Sequence, residues 1–199
     1  PYVAEEVSVK TPAGHALTGT LTRPTGAAGR VPAEVTITGS GAQDRDEFIP
    51  VAGGYRLFRQ VADTLSRRGI AVLRLDDRGV GGSEGNVNGT SADFADDIRA
   101  AVAYLRTRAD IDPARIALVG HSEGGMIAPM VALTDARLAA IVLMAGPAYN
   151  GRQIINYQVA NGVRGTPSIR EAARDSATKA ALAEFAEPYF ATYMHSFPV

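Results

Sequence analysis

The apolar run Ile116-Ala117-Leu118-Val119 passes directly into Gly120-His121-Ser122-Glu123-Gly124, and a helical pattern begins near Gly125. A strand that turns into a helix this abruptly has few backbone routes, and glycines must stand where a side chain would collide. The pattern fits a nucleophile elbow, in which a serine is held in a strained conformation with its hydroxyl lifted above the end of a sheet. Ser122 is therefore the candidate nucleophile. A glycine-rich turn without chemistry is the alternative, and strand before, helix after and glycine spacing together favour the elbow.

The rest of the chain supplies the sheet such an elbow needs. Val3 to Thr11 and Ala16 to Thr22 alternate polar and apolar residues around Pro12-Ala13-Gly14-His15, which predicts a hairpin. A third strand, Ala33 to Thr38, ends in Gly39-Ser40-Gly41. Leu57, Phe58, Val61, Ala62 and Leu65 then recur on one helical face, with Gly69 as the stop. The buried strand Ile70 to Leu75 runs into Asp76-Asp77-Arg78-Gly79. Thr90 and Asp93 form a capping box for a helix whose core face is Phe94, Ile98, Ala101, Val102 and Leu105. Asp112-Pro113 turns the chain back into the elbow strand. A helix carrying Met126, Ile127, Met130 and Val131 follows, and then a strand from Ala139 to Met144.

Strands alternating with helices after an opening hairpin imply an α/β fold, a three-layer α/β/α sandwich on a mainly parallel sheet. Residues 1–148 read as this core, with its first six strands. Residues 149–199 read as a helical cap in which Ile169, Ala173, Ala180, Leu182 and Phe185 cover a neighbouring surface, the alternative being surface helices on their own domain.

Bulk composition narrows the partners. With 199 residues, 46% hydrophobic and 21% charged, the chain is sized for one well-buried domain. A net charge of -1 with mixed signs gives no footprint for nucleic acid or an anionic membrane, so a small-molecule partner is expected. The absence of cysteine excludes disulfides, thiolate catalysis and cysteine metal sites but leaves the compartment open, cytoplasmic or exported. No apolar run approaches a membrane span. The chain begins at Pro1 and not methionine, which implies that something N-terminal was removed.

Three segments together resemble the α/β-hydrolase superfamily, and within it bacterial esterases and serine-peptidase-like hydrolases. They are Gly120 to Gly124, Asp76-Asp77-Arg78-Gly79-Val80-Gly81-Gly82-Ser83, and Gly39-Ser40-Gly41-Ala42-Gln43-Asp44-Arg45-Asp46. The resemblance implies an oxyanion hole built from two backbone N–H groups, one after the nucleophile and one from the loop after the third strand. Here these are Glu123 and Ser40, with Gly41 the alternative to Ser40. The Glu123 carboxylate then holds a neighbouring loop and does not serve as a base. Asp44, Arg45 and Asp46 read as an ion-pair brace, with recognition of a charged substrate as the alternative; Asp76, Asp77 and Arg78 read as pins for the loop at the strand end. His121 is expected to face away from the nucleophile, and His15 to be solvated in its hairpin turn.

The family activates its serine with a histidine oriented by a carboxylate, in chain order serine, acid, histidine. After Ser122 comes only His195, within a stretch that reads as the returning end of the cap, with Asp175 or Asp135 as its orienting acid. The two strands on which the family carries acid and histidine are not in this sequence. The expectation is that a C-terminal segment or a companion chain supplies them.

The resemblance thus implies a serine hydrolase acting by acyl transfer: first a carboxylesterase on small or medium acyl esters, then a serine peptidase or amidase of the same fold. A catalytically silent scaffold or fragment is the third reading. A nucleotide-binding oxidoreductase, suggested by Gly39-Ser40-Gly41 after a strand, lacks the third glycine and the helix of its phosphate cradle. No cofactor is implied. His15, His121 and His195 show no paired metal-ligand spacing, so no metal is expected either.

Overall fold

The computed structural model describes residues 1–49, 53–149 and 152–154. Its chain forms two compact units, Pro1–Gly146 and Pro147–Val199. Apart from Tyr149 and residues 152–154, the expected helical cap, with His195 and Asp175, lies outside the described residues.

In the first unit, β1 (Tyr2–Lys10) and β2 (Ala16–Pro24) form the expected hairpin, in register from Tyr2↔Pro24 to Lys10↔Ala16. Gly14 stands in the turn at φ +96°, where an L side chain would be strained. β3 (Val31–Ile37) leads through a loop into a two-stranded ribbon, β4 (Phe48–Ile49) and β5 (Tyr55–Arg56), which sequence periodicity does not reveal. No helix opens after Gly39-Ser40-Gly41, so the phosphate-cradling geometry is absent there.

Helix α1 (Leu57–Ser66), strand β6 (Ala71–Leu75) and helix α2 (Ser91–Thr107) follow. The Thr90 side chain accepts from the Asp93 N–H, and the Asp93 carboxylate accepts from the Thr90 N–H, completing the capping box. Strand β7 (Ile111–His121), helix α3 (Gly124–Ala132) and strand β8 (Ala140–Met144) complete the described elements. The Asp112-Pro113 turn survives as an irregularity inside β7. Pairing with β3 jumps from Val31↔Ile111 to Ala33↔Ile116, and Asp112 Oδ1 accepts from the Ala114 N–H.

The six-stranded sheet has the order β1-β2-β6-β3-β7-β8, parallel from β6 to β8 and antiparallel at the hairpin. Because side chains alternate along a strand, Leu21, Val35, Leu73, Ile116 and Leu118 enter one core with Ala95, Ile98, Ala101, Val102 and Leu105 of α2 and Ile127, Ala128 and Val131 of α3. Burying each large aliphatic side chain contributes about 1.5–3 kcal/mol. Thr22 and Val72 point to the opposite face, where the Ser66 hydroxyl at the end of α1 donates to Thr22 Oγ1 at 2.8 Å. Helices thus flank both faces, and the C-terminal ends of β3, β6 and β7 bring three loops together.

Candidate active site

Ser122 stands between β7 and α3 at φ +51°, a left-handed conformation uncommon for a residue with a side chain. Its N–H donates to the Met144 carbonyl at 2.9 Å, and its carbonyl accepts from the Gly125 N–H at 2.9 Å, so both sides of the strained residue are tied down. The glycines are required by close backbone approach. A Cβ on Gly120 would meet the Gly124 carbonyl oxygen at 2.0 Å, one on Gly124 would meet the Ile37 oxygen at 2.2 Å, and one on Gly125 the Gly146 Cα at 2.6 Å. Neighbouring backbone, not flexible side chain, fills those positions. The backbone thus has the strand-turn-helix geometry expected of an elbow.

The loop after β3 passes beside it. A Cβ on Gly39 would lie 3.3 Å from Ser122 Cβ and 2.8 Å from Glu47 Oε1. Gly39 donates its N–H to Glu47 Oε1 at 2.9 Å, which removes it as an oxyanion donor. Gly41 adopts φ +95°. Glu123, at the N-terminus of α3, is buried; its Oε1 accepts from the Ser91 hydroxyl at 2.6 Å. The carboxylate therefore anchors the first turn of α2, as a loop-holding role requires, and is turned away from general-base work. No acceptor among the described residues takes the Glu123 N–H.

Carboxylates hold the loops. Asp77 Oδ1 accepts from the Thr38 hydroxyl at 2.8 Å and Oδ2 from the Gln43 N–H at 3.0 Å, clamping both ends of the Gly39–Ala42 turn. Burial pushes the Asp77 carboxyl up to about 7; those two hydrogen bonds pull the other way, and the charges of Glu123 and Glu47 push it higher. A cavity of about 30 Å³ between this loop, α2 and α3, lined by Thr38, Gly39, Asp77, Phe94, Glu123 and Ile127, has room for a water molecule.

Asp44, Arg45 and Asp46 form ion pairs within the fold. Arg45 grips Asp76 and also donates to Glu6 and Thr20, Asp46 pairs with Arg74, and Asp44 pairs with Arg56. Arg78 donates to Asp97 Oδ2 at 2.8 Å and to the Asp93 carbonyl at 2.6 Å, pinning the loop after β6 onto α2.

His15 is a correction. It is not solvated: its Nε2 lies 3.0 Å from Asp97 Oδ1 and its side chain is 12% exposed, because the hairpin turn folds down onto α2. His121 Nδ1 lies 2.6 Å from Glu47 Oε1, a pairing that sequence reasoning missed because the two residues are distant in the chain. Asp135 is committed to Arg106, with Nη1 and Nη2 at 2.5 and 3.1 Å. Among the described residues no group of His, Cys, Asp and Glu could hold a metal ion, and no helix is long and apolar enough to cross a membrane.

A doubly flanked, mainly parallel sheet with a strained serine on the turn from strand to helix defines an α/β hydrolase. Residues 52–178 match the profile of the serine aminopeptidase S33 family, and the chain belongs to that family. Over 144 residues it is 33% identical to esterase EstD of Thermotoga maritima, covering 72% of this chain and 33% of that protein. Over 92 residues it is 37% identical to the thiohydrolase apmlB of Arthrinium phaeospermum, covering 43% of this chain and 29% of that protein. The chain thus spans about a third of the length of these curated relatives. The esterase PF2001 of Pyrococcus furiosus shares the fold at a TM-score of 0.69 and 20% identity, over 100% of this chain and 64% of that one.

Proposed function

We propose that this hydrolase is a serine carboxylesterase that transfers small or medium acyl groups through Ser122. The observation that carries the proposal is the left-handed Ser122 at the joint of β7 and α3. Strain of this kind clusters at functional sites, and here it falls on the glycine-flanked serine of a strand-to-helix turn. The Ser122 hydroxyl attacks the ester carbonyl, and the developing oxyanion accepts from the N–H groups of Glu123 and Ser40. The alcohol leaves with a proton from the base, an acyl-enzyme forms, and water releases the acid. Of the described histidines, His15 pairs with Asp97 and His121 with Glu47, and neither makes a hydrogen bond to the Ser122 hydroxyl. Base and orienting acid therefore come from outside the described residues: from His195, from a segment following Val199, or from a companion polypeptide.

The similarity to an esterase and a thiohydrolase supports acyl transfer to water. The family description favours a peptidase as the second reading. Fluorophosphonate labelling of the intact protein, with Ser122→Ala as control, tests the nucleophile. Turnover of p-nitrophenyl acyl esters against aminoacyl amides separates the two substrate classes. Label found elsewhere than Ser122, or no label on active protein, defeats the serine mechanism.

A further inference from the structure

The Glu47 side chain hydrogen-bonds both to the loop after β3 and to the residue that directly precedes Ser122. Its Oε1 accepts from the Gly39 N–H at 2.9 Å, on the loop after β3, and lies 2.6 Å from Nδ1 of His121, which directly precedes the serine. Its Oε2 is buried without a hydrogen-bond partner, and the residue is 2% exposed. Burying a carboxylate with half its acceptor capacity unused costs free energy.

The surrounding loop is built to hold it there. Asp44 Oδ1 accepts from the N–H groups of Asp46 and Phe48, the Asp44 carbonyl accepts from the Glu47 N–H at 2.9 Å, and Glu47 itself is left-handed at φ +50°. The Glu47 and Asp46 carbonyls then accept from Leu57 and Phe58 at the start of α1. A strained backbone thus aims this carboxylate inward and is anchored at a helix end.

We infer that Glu47 is a positioning residue of this hydrolase: it sets the distance between the loop after β3 and the nucleophile elbow, and so the width of the oxyanion site. The inference rests on the serine-hydrolase reading above. Turning the Gly39 N–H onto Glu47 passes the donor role to the following residues of the loop, where Ser40 stands. Fixing His121 holds the end of β7 from which Ser122 projects. Glu47 touches no reacting atom, so its effect belongs on the rate of the chemical step and not on substrate affinity.

The experiment measures fluorophosphonate labelling rate at Ser122, together with ester kcat and KM, for intact wild type, Glu47→Ala and Glu47→Gln. Circular dichroism and thermal melting establish the folded fraction of each. Glu47→Ala is expected to lower labelling rate and kcat per folded molecule by roughly 10- to 100-fold with KM nearly unchanged. Glu47→Gln, whose amide oxygen in the Oε1 position still accepts from the Gly39 N–H and faces His121 Nδ1, is expected to recover most of that loss. A folded Glu47→Ala that labels at the wild-type rate overturns the inference, as does a Glu47→Gln no better than Glu47→Ala. Should Glu47→Ala fail to fold, Glu47→Asp is read instead: its withdrawn carboxylate lowers the rate if positioning matters and leaves it unchanged if it does not. Wild-type protein that never labels at Ser122 overturns the serine-hydrolase reading and this inference with it. That outcome is distinct from wild-type labelling that the variants leave untouched.

Discussion

Arg45 lies along Asp76 as a two-pronged pair, Nε to Oδ1 at 3.1 Å and Nη2 to Oδ2 at 2.8 Å, while its own N–H also reaches Oδ1 at 2.9 Å. Burial pulls the Asp76 carboxyl upward, but the hydrogen bonds and charge of Arg45 outweigh it and hold the group below its ordinary value. Asp76 is nearly buried, so Arg45→Ala strands a desolvated charge. That variant is expected to lose about 3 kcal/mol by urea denaturation, and Arg45→Ala combined with Asp76→Asn clearly less. Equal losses in the single and double variants would show that the stranded Asp76 charge is not the source of the loss.

Ser122→Gly removes the left-handed penalty and the nucleophile together. It should stabilise the folded chain by about 0.5–1 kcal/mol and abolish fluorophosphonate labelling. A destabilised Ser122→Gly would mean that the hydroxyl, and not the backbone angle, governs stability at the elbow.

Two glycines separate crowding from conformation. Gly124→Ala drives a Cβ to within 2.2 Å of the Ile37 oxygen and is expected to cost 3 kcal/mol or more, on the order of the largest single-site losses. Gly41→Ala meets nothing within 4 Å and carries only its φ of +95°, so about 1 kcal/mol is expected. Thermal melts of the two variants make the comparison directly.

Stability should fall as the solution becomes alkaline. Burial alone raises the Glu34 carboxyl from 4.5 to about 7, and burial foremost raises Asp77 from 3.8 to about 7. The folded chain keeps protons that the unfolded chain releases. The stability these groups contribute is therefore whole below their unfolded values and is lost as pH rises through about 7. Glu34→Gln should remove roughly 2–3 kcal/mol of the decline between about pH 5 and about pH 8.5. Parallel declines in wild type and variant would place the titration elsewhere.

Much of the fold is legible because its signals are local. Pro12-Ala13-Gly14 turns a hairpin, Thr90 and Asp93 cap a helix three residues apart, and Gly69 at φ +93° follows the end of α1. The β4–β5 ribbon is not legible, since two residues per strand carry no periodicity. The setting of His15 is not legible for a related reason: its partner Asp97 is 82 positions away, and a polar residue in a turn reads as solvated until the tertiary fold places a carboxylate over it. At the site, the role of the Glu123 carboxylate as a holder was legible from the tight turn, but its partner Ser91 was not.

The sequence by itself determined the α/β order, the elbow and Ser122, because each depends on residues close in the chain: periodicity, caps, and glycines where backbone meets backbone. Only the tertiary structure decided which carboxylates hold the loops at the ends of β3, β6 and β7. Glu47 reaches His121 across 74 positions and Asp77 reaches Thr38 across 39, and contacts of that span exist only once the sheet has set its strand order. Side-chain chemistry made these contacts possible, and chain topology selected them.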